Sequence, residues 1–135
     1  RLFMAFTLVR LKGNCLSLSS AGMPPVYLYR SADGSVEEIL LKGMPLGAMK
    51  NFPYALHEAE LQQGDLLLLL TDGLPEQKNR GEEMFDYARV QQILRDTGAG
   101  APEAVVERLV EAGESWMDGA VQDDDITLMV IKRSA

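Results

Sequence analysis

The sequence predicts an α+β domain, with strands first and helices later, on three observations. Six short apolar runs between residues 3 and 71 are punctuated by turn clusters at lengths that suit antiparallel pairing. Two segments between residues 86 and 116 then place apolar side chains three and four apart, the helical period. A final stretch, 126–132, partly alternates apolar and polar residues and returns to the period of a strand.

Residues 3–11 and 16–21 form the first expected hairpin, joined by Gly13-Asn14, a pair that readily takes positive φ angles in a tight turn. Both faces of the first strand are largely apolar, which predicts cover on both sides. Ala21-Gly22-Met23-Pro24-Pro25 interrupts the ladder, because proline lacks a donor and excludes helical geometry from the residue before it. Val26–Tyr29 and 36–41 flank the turn cluster Ser31-Ala32-Asp33-Gly34-Ser35 and predict a second hairpin. After the Gly43-Met44-Pro45-Leu46-Gly47 loop, 54–61 and 66–71 read as a third pair around Gln62-Gln63-Gly64-Asp65. Residues 86–95 switch period, with Tyr87, Val90 and Leu94 on one face. Gly98 and Gly100 separate this helix from a second, which Pro102 suits at its first turn. In that second helix Val105, Leu109, Ala112 and Trp116 make one stripe that can lie on a sheet, and the opposite face is acidic.

Composition narrows the function classes. A chain of 135 residues with 47% hydrophobic and 24% charged content fits one globular domain, here 1–135, with a real core. The net charge of −7 and the scatter of basic residues exclude a nucleic-acid footprint. Cys15 stands alone inside an expected strand, which reads as a core residue in a reducing cytoplasm and not as half of a disulfide. No apolar run approaches the ~20 residues of a membrane helix, and residues 2–9 lead into Arg10 and Lys12 without a small-residue cleavage site. The methionines Met4, Met44, Met49, Met84, Met117 and Met129 read as core or gap-filling residues. His57 alternates with its strand neighbours and is given no chemical role, and Ser19 and Ser20 lack the glycines and nearby histidine of an acyl-transfer site.

Two aspartates carry the chemistry. Asp72 ends the run Leu66-Leu67-Leu68-Leu69-Leu70-Thr71-Asp72-Gly73, and Asp124 precedes another strand in Asp123-Asp124-Asp125-Ile126-Thr127-Leu128. Each delivers a carboxylate to the rim of a rigid sheet, where a hard divalent cation takes oxygen ligands and keeps several waters. Metal-assisted hydrolysis follows if the two converge. Either motif alone is also a common turn or edge-protection signal. Glu82-Glu83 and the helix acids are most simply a solvated face.

Taken in order, Ala21-Gly22-Met23-Pro24-Pro25, Pro45-Leu46-Gly47, the segment from Gly64-Asp65 through Thr71-Asp72-Gly73-Leu74-Pro75-Glu76, and Asp124-Asp125-Ile126-Thr127 closely resemble the bacterial metal-dependent serine/threonine phosphatases of the PP2C type. The branch is that of the sporulation phosphatase SpoIIE and the stress regulator RsbU, and the resemblance spans nearly the whole chain. It implies a PP2C-like α/β-sandwich, in which antiparallel sheets flanked by helices hold a two-metal Mn²⁺ or Mg²⁺ site at one edge. On this resemblance Asp72 and Asp124 match the family's metal aspartates and are the catalytic candidates. Asp125 stands where many relatives carry asparagine, so an outer metal role and a solvent-facing one are equally open, and Asp123 reads as surface.

The departures are as specific. The family also uses an acidic first strand and an Asp-Gly motif whose aspartate bridges both metals, and the chain is expected to be the carboxyl-terminal part of the domain, without them and inactive alone. Met23 replaces a frequent histidine, and Asp86 a frequent glycine after phenylalanine. The resemblance further implies hydrolysis of phosphoserine or phosphothreonine by in-line attack of water, without a phosphoenzyme. The implied partner is a phosphorylated STAS-type anti-sigma-factor antagonist, under an N-terminal sensor or receiver domain. Sheet faces left uncovered predict self-association, as a homodimer. A non-catalytic partner-binding or regulatory module on the same scaffold is the alternative.

Overall fold

The computed structural model describes residues 2–134 and contains two antiparallel sheets and two helices. The strands are β1 (Phe6–Lys12), β2 (Cys15–Ala21), β3 (Val26–Tyr29), β4 (Val36–Ile39), β5 (His57–Glu60), β6 (Leu66–Leu70) and β7 (Leu128–Lys132). Helices α1 (Tyr87–Thr97) and α2 (Pro102–Met117) lie between β6 and β7 in sequence. One sheet has the order β1-β2-β5 and the other β4-β3-β6-β7.

The leucine run of β6 is buried because it is an inner strand with an apolar layer on each face. Leu66, Leu68 and Leu70 join Tyr27 and Tyr29 of β3 under the helices, with Val90, Ile93 and Leu94 of α1 and Val105 and Leu109 of α2. Leu67 points the other way and meets Leu16 and Leu18 of β2, Val26 and Leu28 of β3, and Leu61. The period of two thus divides one strand between two cores. Each such leucine contributes about 2 kcal/mol by leaving water.

The first strand departs from expectation. β1 begins at Phe6, and Phe6, Leu8 and Leu11 are exposed, as are Leu2, Phe3 and Met4 before it. It pairs with β2 alone and so lies at a sheet edge. Cys15 is likewise exposed, because Leu16 and Leu18 take the core face of β2 and leave Cys15 on the other. The methionines are mostly surface residues, with Met4, Met44, Met49, Met84 and Met129 exposed. The turn between β1 and β2 has positive φ at Gly13 (60°) but not at Asn14, the pattern of a turn needing glycine only at its first central position.

The third expected hairpin does not form. β5 pairs with β2 in one sheet, whereas β6 pairs with β3 and β7 in the other, so the chain changes sheets at residues 61–65. Asp65 explains the change. Its carboxylate is only 1% exposed and accepts hydrogen bonds from the Ser31 amide (2.9 Å), the Gln62 amide (2.9 Å) and the Arg30 guanidinium (2.9 Å). These bonds tie the turn to the end of β3 instead of to β5. Lys132 of β7 closes the other junction, its Nζ donating to the carbonyls of Gly98, Ala99 and Gly100 after α1. No helix among the described residues is long and apolar enough to cross a membrane.

Candidate functional site

At one end of the β6–β7 ladder the two acidic segments are brought side by side. The last strand pair is Leu70 with Leu128, and Thr71 carries the pairing one step further with its side chain. The Thr71 amide donates to the Thr127 carbonyl (3.1 Å), and the Thr127 amide donates to Thr71 Oγ1 (3.0 Å). Thr71 Oγ1 also lies 3.4 Å from the Asp125 carbonyl, to which it donates.

Gly73 then packs its backbone directly against the other segment. A methyl group at Gly73 would overlap the Asp125 carbonyl oxygen and come within 3.2 Å of Ile126 Cγ1. The glycine is not in the left-handed region. It is required for close approach rather than for turn geometry. Asp72, half-buried, and the exposed Asp124 and Asp125 therefore belong to adjoining loops on one rim.

Each loop is locally held. The Glu76 amide donates to the Asp72 carbonyl (3.0 Å), tightening the turn after Gly73. Asp124 Oδ1 accepts from the Asp125 amide (2.8 Å), and Gln122 Nε2 donates to the Asp124 carbonyl (2.9 Å). The rim is electronegative. Burial first, and then the carboxylates of Glu76, Asp72 and Asp86, push the Tyr87 hydroxyl above the usual phenol range and keep it protonated.

The donor chemistry suits a hard cation, since carboxylate oxygens arrive from two loops that a Cβ at Gly73 would force apart. Among the described residues no three His, Cys, Asp or Glu side chains gather as a metal-holding group. His57 lies in β5 opposite Leu18, on the sheet that does not contain β6.

Two further residues shape this rim, and sequence reasoning gave neither a role. Gln77, 1% exposed, reaches from the Asp72 loop to the acidic loop. Asp86 adopts φ 75° and ψ 153°, a region that glycine occupies without penalty, and its Oδ1 accepts from the Tyr87 amide (2.7 Å) as the cap of α1. Strain of this kind costs about 1–3 kcal/mol, and the lost cap is nearly replaced by glycine. Asp86→Gly is expected to stabilise α1 by about 1 kcal/mol, seen as slower amide exchange across Val90 to Leu94.

Residues 2–134 match the family model described as Stage II sporulation protein E (SpoIIE). The chain belongs to this family. It is 24% identical over 129 residues to Protein IcfG of Synechocystis, covering 96% of this chain and 20% of that protein. To the phosphoserine phosphatase RsbU of Bacillus subtilis it is 24% identical over 115 residues, covering 85% of this chain and 34% of RsbU. The chain thus spans a fifth to a third of the curated relatives it matches.

Among solved structures, the SiaA-PP2C domain of Pseudomonas aeruginosa superposes with a TM-score of 0.77 at 25% identity, over 93% of this chain and 49% of that one. The SpoIIE phosphatase domain of Bacillus subtilis, presoaked with Mn, gives 0.73 at 17% identity, over 96% of this chain and 56% of that one. The RsbU and RsbW domains of Rv1364c from Mycobacterium tuberculosis give 0.72 at 25% identity, over 97% and 36%. The two antiparallel sheets and two helices match part of the PP2C fold of these solved domains, and the homologues are serine/threonine phosphatases of that type.

Proposed function

We propose that the chain is part of a PP2C-type phosphatase domain and that Asp72 and Asp124 are ligands in its Mn²⁺ or Mg²⁺ site. The observation that carries this reading is the seating of Gly73 on the Asp125 carbonyl, which joins two carboxylate-bearing loops distant in sequence. When bound, such cations supply positive charge for phosphoryl oxygens and make water nucleophilic at neutral pH. The chain's own contribution is positional: Thr71 locks the two loops together and Asp72 and Asp124 present oxygens. Asp125 is assigned an outer role at the same rim.

The reaction in this reading is hydrolysis of phosphoserine or phosphothreonine on a regulatory protein. The relationship to a phosphoserine phosphatase, RsbU, and to a protein that joins RsbU and RsbW domains supports a phosphorylated STAS-type anti-sigma-factor antagonist as substrate. An N-terminal sensor or receiver domain would govern the activity, in the cytoplasm. The lack of a three-ligand group among the described residues supports little turnover by residues 1–135 alone.

The test uses the full-length protein that carries this chain. Phosphate release from a phosphoserine peptide is expected to require Mn²⁺, to stop on chelation, and to fall about 100-fold in Asp72→Asn. Equal rates for Asp72→Asn and the unaltered protein would remove Asp72 from the mechanism, and no Mn²⁺-dependent release by the unaltered protein would favour a non-catalytic module on this scaffold and end the phosphatase reading.

A further inference from the structure

The side chain of Gln77 is one of the few buried polar groups of the molecule, and every polar atom it carries is used across the rim. Its Nε2 donates to the Lys78 carbonyl (2.9 Å) and to the Val121 carbonyl (3.1 Å). Its Oε1 accepts from the Asp123 amide at 3.4 Å. A primary amide has two donors on one end and an acceptor on the other. Here two carbonyls face the donor end and an N–H faces the acceptor end, so the amide fits its surroundings in one orientation only.

The connected residues give this arrangement its meaning. Gln77 lies five positions after Asp72, and Val121 and Asp123 lie three positions and one position before Asp124. The loop from 118 to 127 contains no strand or helix, and its residues 121–125 are exposed. Beyond the Thr71 and Gly73 contacts on its far side, the Gln77 amide ties the near side at Val121 and Asp123 to the Asp72 segment, next to the bond from the Ala120 amide to the Met117 carbonyl (2.8 Å). We infer that Gln77 is a positioning residue that pins the acidic loop, setting where Asp124 stands relative to Asp72. This inference rests on the metal-site reading proposed above.

Replacing Gln77 by methionine keeps length and volume but removes the one buried side chain that bonds the Val121 carbonyl and the Asp123 amide, freeing the loop from the Asp72 segment. Three measurements on the full-length protein and on Gln77→Met decide the matter: Mn²⁺ affinity by calorimetry, amide exchange over residues 121–126, and thermal midpoint. Lys132→Met, which removes the ammonium from the three carbonyls after α1, is the control for a general loss of stability. Gln77→Met is expected to weaken Mn²⁺ binding about 10-fold and to speed exchange at 121–126, whereas Lys132→Met changes neither despite a lower midpoint.

Unchanged Mn²⁺ affinity and unchanged exchange in Gln77→Met overturn the inference. Equal weakening of Mn²⁺ binding in Lys132→Met overturns it too, since the effect would then be one of stability. If the unaltered protein binds no Mn²⁺, the metal-site reading fails, and the exchange measurement still decides whether Gln77 holds the loop.

Discussion

On the phosphatase reading, Gly73→Ala is expected to reduce phosphate release by the full-length protein about 100-fold or more, at least as much as Asp72→Asn. The added methyl group cannot be absorbed by a rotamer change, because what it meets is the Asp125 backbone carbonyl. That carbonyl also accepts from Thr71 Oγ1, and Thr71 is tied in turn to the Thr127 backbone. One loop must therefore move away from the other by about an ångström or more, and misplacement on that scale costs about 100-fold for one reacting group. Here it widens the separation between the two carboxylate-bearing segments. The core strands of β6 and β7 remain paired from Leu66–Lys132 to Leu70–Leu128, so the damage is local. Activity lost with amide exchange in β6 unchanged is the expected signature. Near-normal activity would show that the contact between the loops does not set the site.

The sequence made the strands legible where burial and periodicity agree. Val26–Tyr29 and the leucine run of β6 were readable because an inner strand with apolar cover on both faces has no alternation to disguise it. The same reasoning failed for β1, whose apolar side chains are exposed at an edge of this chain. Apolar composition reports that a surface is to be covered, and does not say by what. Helix α2 was marked by its stripe from Val105 to Trp116 and by Pro102 at its start, and it runs to Met117. Helix α1 extends two residues beyond the expected end, through Thr97.

At the site, Asp72 and Asp124 stood out because each borders a strand with a glycine or a second acid beside it. Gln77 gave no such signal. It sits in an irregular loop without periodicity, and its importance comes from a long-range match to residues 121 and 123 that no local pattern encodes. Asp65 was hidden for a related reason, since an aspartate beside glycine reads as a solvated turn.

Asp65→Ala is expected to destabilise the sheet junction by about 3–5 kcal/mol, the usual effect of removing one partner from a buried ion pair. The arithmetic of partners supports the upper part of that range. The Ser31 and Gln62 amides lose their acceptor, the Ser31 hydroxyl is left with the Gln63 carbonyl (2.8 Å), and Arg30 keeps only Glu37 and the Glu60 carbonyl. A typical domain has about 5–15 kcal/mol in all, so hydrogen exchange at β3 and β6 amides should accelerate by at least 100-fold. The pH dependence has a definite sign. Burial pushes the Asp65 carboxyl up, but the bonds from Ser31, Gln62 and Arg30 outweigh it and hold the group below the usual carboxylate range. Its stabilisation is therefore fully present above the unfolded value of 3.8 and is lost as pH falls through the lower folded value. The unaltered protein should lose protection at β6 progressively below about pH 4, while Asp65→Ala, already without that contribution, should show a flatter acid limb. An equally steep limb in the variant would assign the acid sensitivity to other carboxylates.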